Sequence, residues 1–475
     1  MSLIAETAAP AAFDWKRWPD TEAFLDEAVA TALEGNAFAA DLADRMQRET
    51  GTWFKVWIDH LVIQGDTSLR DRLEALGYER QSTSYGVGVP VFAHSGGIFP
   101  RIALVPVDAS TNGGTVFTVR EVAIKVERAA AFSRAHDLGL EILGYSVGPY
   151  RVGRIQGNRT TLAVVERRAY LGFEPFPGDL ARLGRMRPHA ARDALAARDL
   201  WEARRRRFDD DGEGFDATEM TLDRVIELAG SVDLACHLVF EVEREYWQSR
   251  NTAARVQKAR QDRLGLGWAN HDHHTFRCSR RFFPRVIGML TRLGFELRER
   301  FHAGAHAGWG AQVLEHPVTG IVIFADLDLA PDEATEDFAH LTLPDLPRPG
   351  TVGLWVALHG ESILEGGLHH LEAQFDFDAL RDGLKAEAGI ETMPPFSNFP
   401  FLRQAFTAGE RWPVDRRRAD RALQLGWITA LERDKFLRDG TIGSHLENLE
   451  RREGFKGFNQ QAVSTIIVAT DPRLH

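Results

Sequence analysis

The sequence has little cysteine and no excess of positive charge. Only Cys236 and Cys278 occur in 475 residues, which excludes a disulfide framework and a cysteine zinc site. Lys and Arg number 57 against 68 Asp and Glu, for a net charge of −11. That balance argues against a general phosphate-binding surface, so no nucleic-acid partner is expected. The arginines at 204–207 run straight into Asp209, Asp210 and Asp211, which reads as a solvated helix end. No apolar run approaches the ~20 residues of a membrane span. Residues 1–10 contain Glu6 and lack the basic start and apolar core of a signal peptide. The expectation is a cytoplasmic protein with no membrane partner. Low-complexity sequence is also missing.

What is present is an ordinary globular composition, 44% hydrophobic and 26% charged. Residues 1–50 read as an N-terminal helical segment. Residues 51–177 read as a first β-α-β module region. Its strand 54–63 carries His60, a helix at 69–76 stops at Gly77, residues 78–94 turn at Gly86, Gly88 and Pro90, and 101–107 returns as a strand. The same order recurs within 266–475. Strand 273–278 carries His273, an amphipathic helix at 281–293 stops at Gly294, and strands follow at 295–300, 310–315 and 321–327. A further copy is offered by 118–176, and a fourth begins at 352–358 or at 369–377. Such recurrence predicts an α+β protein built from repeated units. Residues 178–265 differ. They are rich in Ala, Arg, Leu and Glu with helical periodicity, and read as a helical insertion. Residues 415–450 read as largely helical, and 462–469 as a buried strand.

Two histidines and a glutamate on separate strands carry the chemistry. His60, His273 and Glu315 supply two imidazoles and a carboxylate, a set that can hold iron(II) and leave positions open for substrate and oxygen. Residues two apart on a strand share a face, so His60 points with Gln64, and His273 with Thr275 and Arg277, the fourth residue on lying about 13 Å along. A ligand whose head binds the metal and whose tail reaches Arg277 would suit that spacing, because a guanidinium grips a carboxylate with two parallel bonds. By the same parity His271 joins the His273 face while His274 turns away. The plainer readings are that each histidine is a satisfied core residue and that Glu315, before His316 and Pro317, begins a turn.

Other patterns are weaker. His369-His370-x-Glu372 and His359-Gly360-Glu361 contain ligand types, but the first lacks the helical two-histidine spacing of a zinc protease. It remains a candidate second half of the metal site, with packing as the plainer reading. Gly144-Tyr145-Ser146-Val147-Gly148 matches the serine-hydrolase pattern, yet Pro149 and extended chain follow where a helix is required. Ser444-His445 has no nucleophile context.

In order along the chain, the His60 strand, Gly88-Val89-Pro90-Val91, the helical insertion, His273-x-x-x-Arg277, Ala311-x-x-x-Glu315 and Ala462-Val463-Ser464 resemble the 2-oxoadipate dioxygenase/decarboxylase (hydroxyglutarate synthase) family of the vicinal oxygen chelate superfamily. The resemblance implies glyoxalase-like βαβββ modules forming a curved mixed sheet around an Fe(2+) site. The metal would be held by His60, His273 and Glu315, and substrate contacts would come from Gln64, Arg277, Val463 and Ser464. It implies a dioxygenase that decarboxylates a 2-oxo acid to a 2-hydroxy acid, with the 2-oxo acid and dioxygen as partners. One departure stands out: the family carries arginine where this chain has Gln64, and an amide brings no charge. An oxygen-independent metal isomerase or lyase of the glyoxalase type, using zinc, nickel or manganese, stays open as an alternative. So does a non-catalytic small-molecule binding protein on the same fold.

Overall fold

Strand order defines this molecule. The computed structural model describes residues 15–86, 88–107, 117–170, 189–302, 308–333 and 336–474. The residues at 1–10 read above against a signal peptide, 171–176 of the further copy and 178–188 of the insertion lie outside them.

The first sheet contains β1 (Ile58–Gly65), β2 (Tyr78–Tyr85), β3 (Val89–His94), β4 (Arg101–Pro106), β5 (Thr118–Lys125), β6 (Ile142–Leu143), β7 (Tyr150–Gln156) and β8 (Thr161–Arg167). Their spatial order is β2-β3-β4-β1-β5-β8-β7-β6. The helix Thr67–Ala75 links β1 to β2, and Ala129–Ala135 links β5 to β6. Two β-α-β-β-β units therefore meet along their first strands, β1 antiparallel to β5, while each unit closes by pairing its first strand parallel to its last.

The second sheet repeats the plan. It contains β9 (His271–Arg277), β10 (Glu296–His302), β11 (Trp309–Glu315), β12 (Val322–Asp328), β13 (His370–Gln374), β14 (Ser397–Phe399), β15 (Leu402–Phe406), β16 (Glu410–Trp412) and β17 (Thr441–Arg451). The order is β10-β11-β12-β9-β13-β17-β15-β14, with β16 added on β17. The expected α+β class and repeated βαβββ modules are thus present, in four copies.

Of the two starts expected for a fourth unit, the structure takes the one at 369–377. The fourth unit starts at His370, while Thr351–His359 is a helix. Residues 415–450 are only partly helical: helices Arg416–Gln424 and Ala430–Asp439 end at Gly440, and β17 follows. Gly440 has φ 67°, and an added Cβ would stand 2.4 Å from the Trp412 carbonyl oxygen, so only glycine fits this turn into the strand. Residues 462–469 also differ, lying in the helix Gln460–Ala469 rather than a strand.

The outer face of the second sheet (Phe276, Ile323, Ala325, Leu371 and Leu446 among others) packs against helices Asp211–Ala229 and Val232–Ser249. Burying that helical face is what fixes the sheet's opposite face as an interior. There the polar residues of β9, β13 and β17 are gathered.

Candidate metal centre

Three adjacent strands bring His273 of β9, His370 of β13 and Glu447 of β17 together. One ligand atom from each lies within 4.8 Å of the others, and all three residues are buried. Register explains the meeting: Glu372 pairs with His273 and with Glu447, and His370 pairs with Thr275. Since alternate residues share a face, His370 and Glu372 both point inward, as do His273 and Glu447.

The outer nitrogens of both imidazoles are held. His273 Nδ1 contacts Glu372 Oε2 and lies 3.4 Å from Asp272 Oδ1. His370 Nδ1 lies 2.9 Å from His369 Nδ1. Each ring thereby turns its Nε2 toward the centre, and His370 Nε2 is 3.1 Å from Glu447 Oε2 and 2.8 Å from Thr275 Oγ1. Phe324 packs on His273 at 4.5 Å between ring centroids, and Phe406 packs on His370 at 5.2 Å. Burial lowers the basicity of both rings, His370 to about 3, so they are neutral imidazoles, the form that ligates metals. Burial raises both glutamates, and the nearness of Glu447 raises Glu372 further. Gln404 Nε2 bridges them at 3.0 Å and 3.2 Å, while Gln404 Oε1 keeps no hydrogen-bond partner among the described residues. Two buried glutamates beside two neutral imidazoles make a donor set that suits a divalent metal.

A second group, Asp272, His273 and Glu372, also has metal-ligand spacing. Asp272 is already committed to Arg451 at 3.2 Å and Gln374 at 3.0 Å, which favours the first group.

A cavity of about 50 Å³ adjoins the centre. Six aromatic rings line it, from Phe301, Trp309, Phe324, Phe396, Phe406 and Phe458. Arg277 and Asp326 provide its polar end. The Arg277 guanidinium lies over Trp355, its Nε has no hydrogen-bond partner, and burial brings its pKa down to about 10. Val463 and Ile467 of the C-terminal helix, one turn apart on the same face, and Thr470 just after it close the cavity.

The residues singled out from sequence do not all meet. His273, Arg277 and Val463 share this cavity. His60 lies in the first sheet, its Nδ1 2.7 Å from Asp59 and its Nε2 3.5 Å from Glu121, whose other oxygen accepts from Arg154 at 2.8 Å. Gln64 is on the same strand, paired with Val105 and Thr118, and does not line the cavity. Glu315 stands level with His273 but with Val322 of β12 between them, and it turns to Arg298 at 3.3 Å. Ser464 is in the helix Gln460–Ala469, but its side chain lies outside the described residues. His60 and Glu315 thus fall outside the cluster that contains His273, and His370 and Glu447 take their places. His271 also departs from parity. A register shift between Glu372 and Ala373 accompanies its turn to the far side, where it meets His274 at 5.1 Å.

Sequence signals for the other two candidate ligands exist. The His369-His370-x-Glu372 pattern contains one, and Gly440 announces the strand that holds the other.

Internal symmetry accounts for the attraction of His60. It stands on the first strand of its sheet as His273 does, and Glu121, paired with Val62, takes the register of His370. The register of Glu447 falls on Ala163, which has no ligand atom.

No protein-family model matches this chain, and no curated protein does. Solved structures similar to it include a putative glyoxalase superfamily protein from Ralstonia eutropha (13% identity, 56% of this chain and 96% of that one, TM-score 0.31). A mutant 4-hydroxymandelate synthase from Streptomyces coelicolor is 11% identical over 88% of this chain and 98% of its own, with TM-score 0.26. A Mn(II)-bound glyoxalase from Novosphingobium aromaticivorans is 8% identical over 83% and 82%, with TM-score 0.18. The paired βαβββ units of this chain rest on its own strand order: the fold is α+β and glyoxalase-like.

Proposed function

We propose that this chain is an iron(II)-dependent dioxygenase acting on a 2-oxo acid, which it decarboxylates to a 2-hydroxy acid. The observation that carries the reading is a two-histidine, one-carboxylate set beside an arginine without an ion-pair partner among the described residues, both in one aromatic cavity. His273, His370 and Glu447 would hold the metal. Iron(II), when bound, supplies Lewis acidity toward the carboxylate and keto oxygens and reactivity toward dioxygen.

The protein's own residues do the rest. Asp272, Glu372 and His369 hold the outer imidazole nitrogens, fixing which nitrogen faces the centre. Arg277 lies four residues along β9 from His273, so it meets the polar end of a substrate whose head is at the metal. The six rings favour a substrate with an apolar body between those ends. The C-terminal helix keeps water from the cavity through Val463 and Ile467.

The test is oxygen uptake by anaerobically purified, iron-loaded protein across 2-oxo acids with carboxylate, alkyl and aryl tails, alongside elemental analysis. Stoichiometric iron, uptake with at least one acid, and loss of iron in His370→Ala and Glu447→Gln are expected. Iron-loaded protein that consumes no oxygen with any of them, or that turns over a substrate without oxygen, would overturn the reading.

A further inference from the structure

A second, larger cavity of about 520 Å³ lies where the two sheets and the helical insertion meet. The ends of β1, β5 and β8 bring Asp59, Lys125 and Arg167 to it. The helix Val232–Ser249 brings His237 and Arg244, and β9 brings His271. It reaches the surface past exposed Ile98, Pro317 and Gly320.

Its charges do not balance. Each nearby carboxylate is taken by another cation. Asp59 holds Arg167 at 2.7 Å, Asp272 holds Arg451 at 3.2 Å, and Glu127 holds Lys258 at 3.1 Å. Glu241, whose charge also acts on Arg244, lies 3.4 Å from Arg198. Lys125 and Arg244 are left. Neither forms an ion pair among the described residues, and Arg244, 6% exposed, meets the ring nitrogen of His274 at 3.4 Å. His271 Nδ1 is buried without a hydrogen-bond partner. Cations withdrawn from water are costly unless paired. A chain with net charge −11 has concentrated two unpaired ones in a space large enough for a metabolite.

We infer that this cavity is an anion-binding site, separate from the metal centre, for a metabolite-sized ligand bearing carboxylate or phosphate groups, received by Lys125 and Arg244 with His271 as a further donor. The shared chemistry is a compact, multiply charged oxyanion. The helical insertion thereby has a role, since it supplies Arg244 as one wall of a site whose other wall is β5. Phe458 lines both cavities, so an occupant here lies one ring away from the metal centre.

The test is calorimetric titration of the full chain with citrate and, separately, pyrophosphate, against sodium chloride at matched ionic strength, with melting curves in parallel. Citrate, pyrophosphate or both bind and raise Tm in the wild type; which of them does so identifies the head group. Lys125→Met and Arg244→Met weaken binding about tenfold or more, the loss expected for one charge-assisted contact. Lys125→Met in chloride alone melts no lower than wild type, because it removes an unpaired cation. Glu447→Gln binds the anion as wild type does. Stabilisation no greater than that of chloride would overturn the inference. So would binding unchanged in Lys125→Met, or binding lost in Glu447→Gln and kept in Lys125→Met, which would place the anion at the metal centre.

Discussion

Arg277 and Asp326 show how burial sets chemistry at single residues. Arg277 has a buried guanidinium and no ion pair among the described residues, so it is poised for a ligand carboxylate or another electron-rich group. Arg277→Met should raise the substrate KM about 10- to 100-fold while iron content stays at the wild-type value, the loss of one bidentate charged contact. Equal loss of iron and of substrate affinity would show that Arg277 is structural. Burial pushes the Asp326 carboxyl up to about 8, with Arg277 opposing the shift. The folded chain therefore keeps a proton that the unfolded chain releases between about pH 4 and pH 8, and stability falls as pH rises across that window. Asp326→Asn should flatten this slope in urea unfolding of the metal-free protein. A slope as steep as wild type would show that Asp326 is already ionised at neutral pH. None of this is visible in sequence, where Asp326 is one acidic residue in an apolar strand.

At the scale of elements, β17 is the strand on which the site depends and the one least legible from sequence. Leu446 and Leu449 are three apart, as on a helix, yet both are fully buried because the strand is covered on both faces. Two-sided burial erases the alternation by which strands are recognised. The C-terminal helix is the converse case: an apolar run at 462–469 is equally compatible with a buried strand and a covering helix, and only the cavity beneath it decides. The insertion is tied to β17 through Asn251. Its Oδ1 accepts from Ala254 N at 2.8 Å, capping the helix Thr252–Arg263, and its amide donates to Ser444 Oγ at 2.7 Å. Asn251→Ala removes both and should cost about 1–3 kcal/mol in urea unfolding, from a lost cap and a buried hydroxyl left short of a partner. A change within experimental error would mean that the insertion is held by its apolar face alone.

For the whole molecule, duplication is the governing fact. Four like units give two like sheets, and among the described residues only the second gathers three ligand-type side chains at metal spacing. In the first sheet Glu121 is held by Arg154, and Asp59 by Arg167, so ion pairs fill the corresponding place. His60→Ala should leave iron content at the wild-type value and lower stability by about 1–3 kcal/mol, as expected when buried polar partners are left short. Loss of iron in that variant would return His60 to the metal site.

The sequence by itself determined the α+β class, the recurrence of the unit, the helical character of 178–265 as far as it is described, and the inward pointing of His273 with Arg277. Those are local matters, set by period, by Gly77 and Gly294 as stops, and by the two-residue alternation of a strand. Tertiary structure alone decided which strands stand beside β9. Pairing in a sheet joins residues far apart in the chain, and nothing in the sequence of β9 says that β13, with β17 beyond it, stands on the side opposite β12 and β11. That choice, made by burying one face of the sheet under the insertion, puts His370 and Glu447 beside His273 and leaves His60 and Glu315 in ion pairs elsewhere.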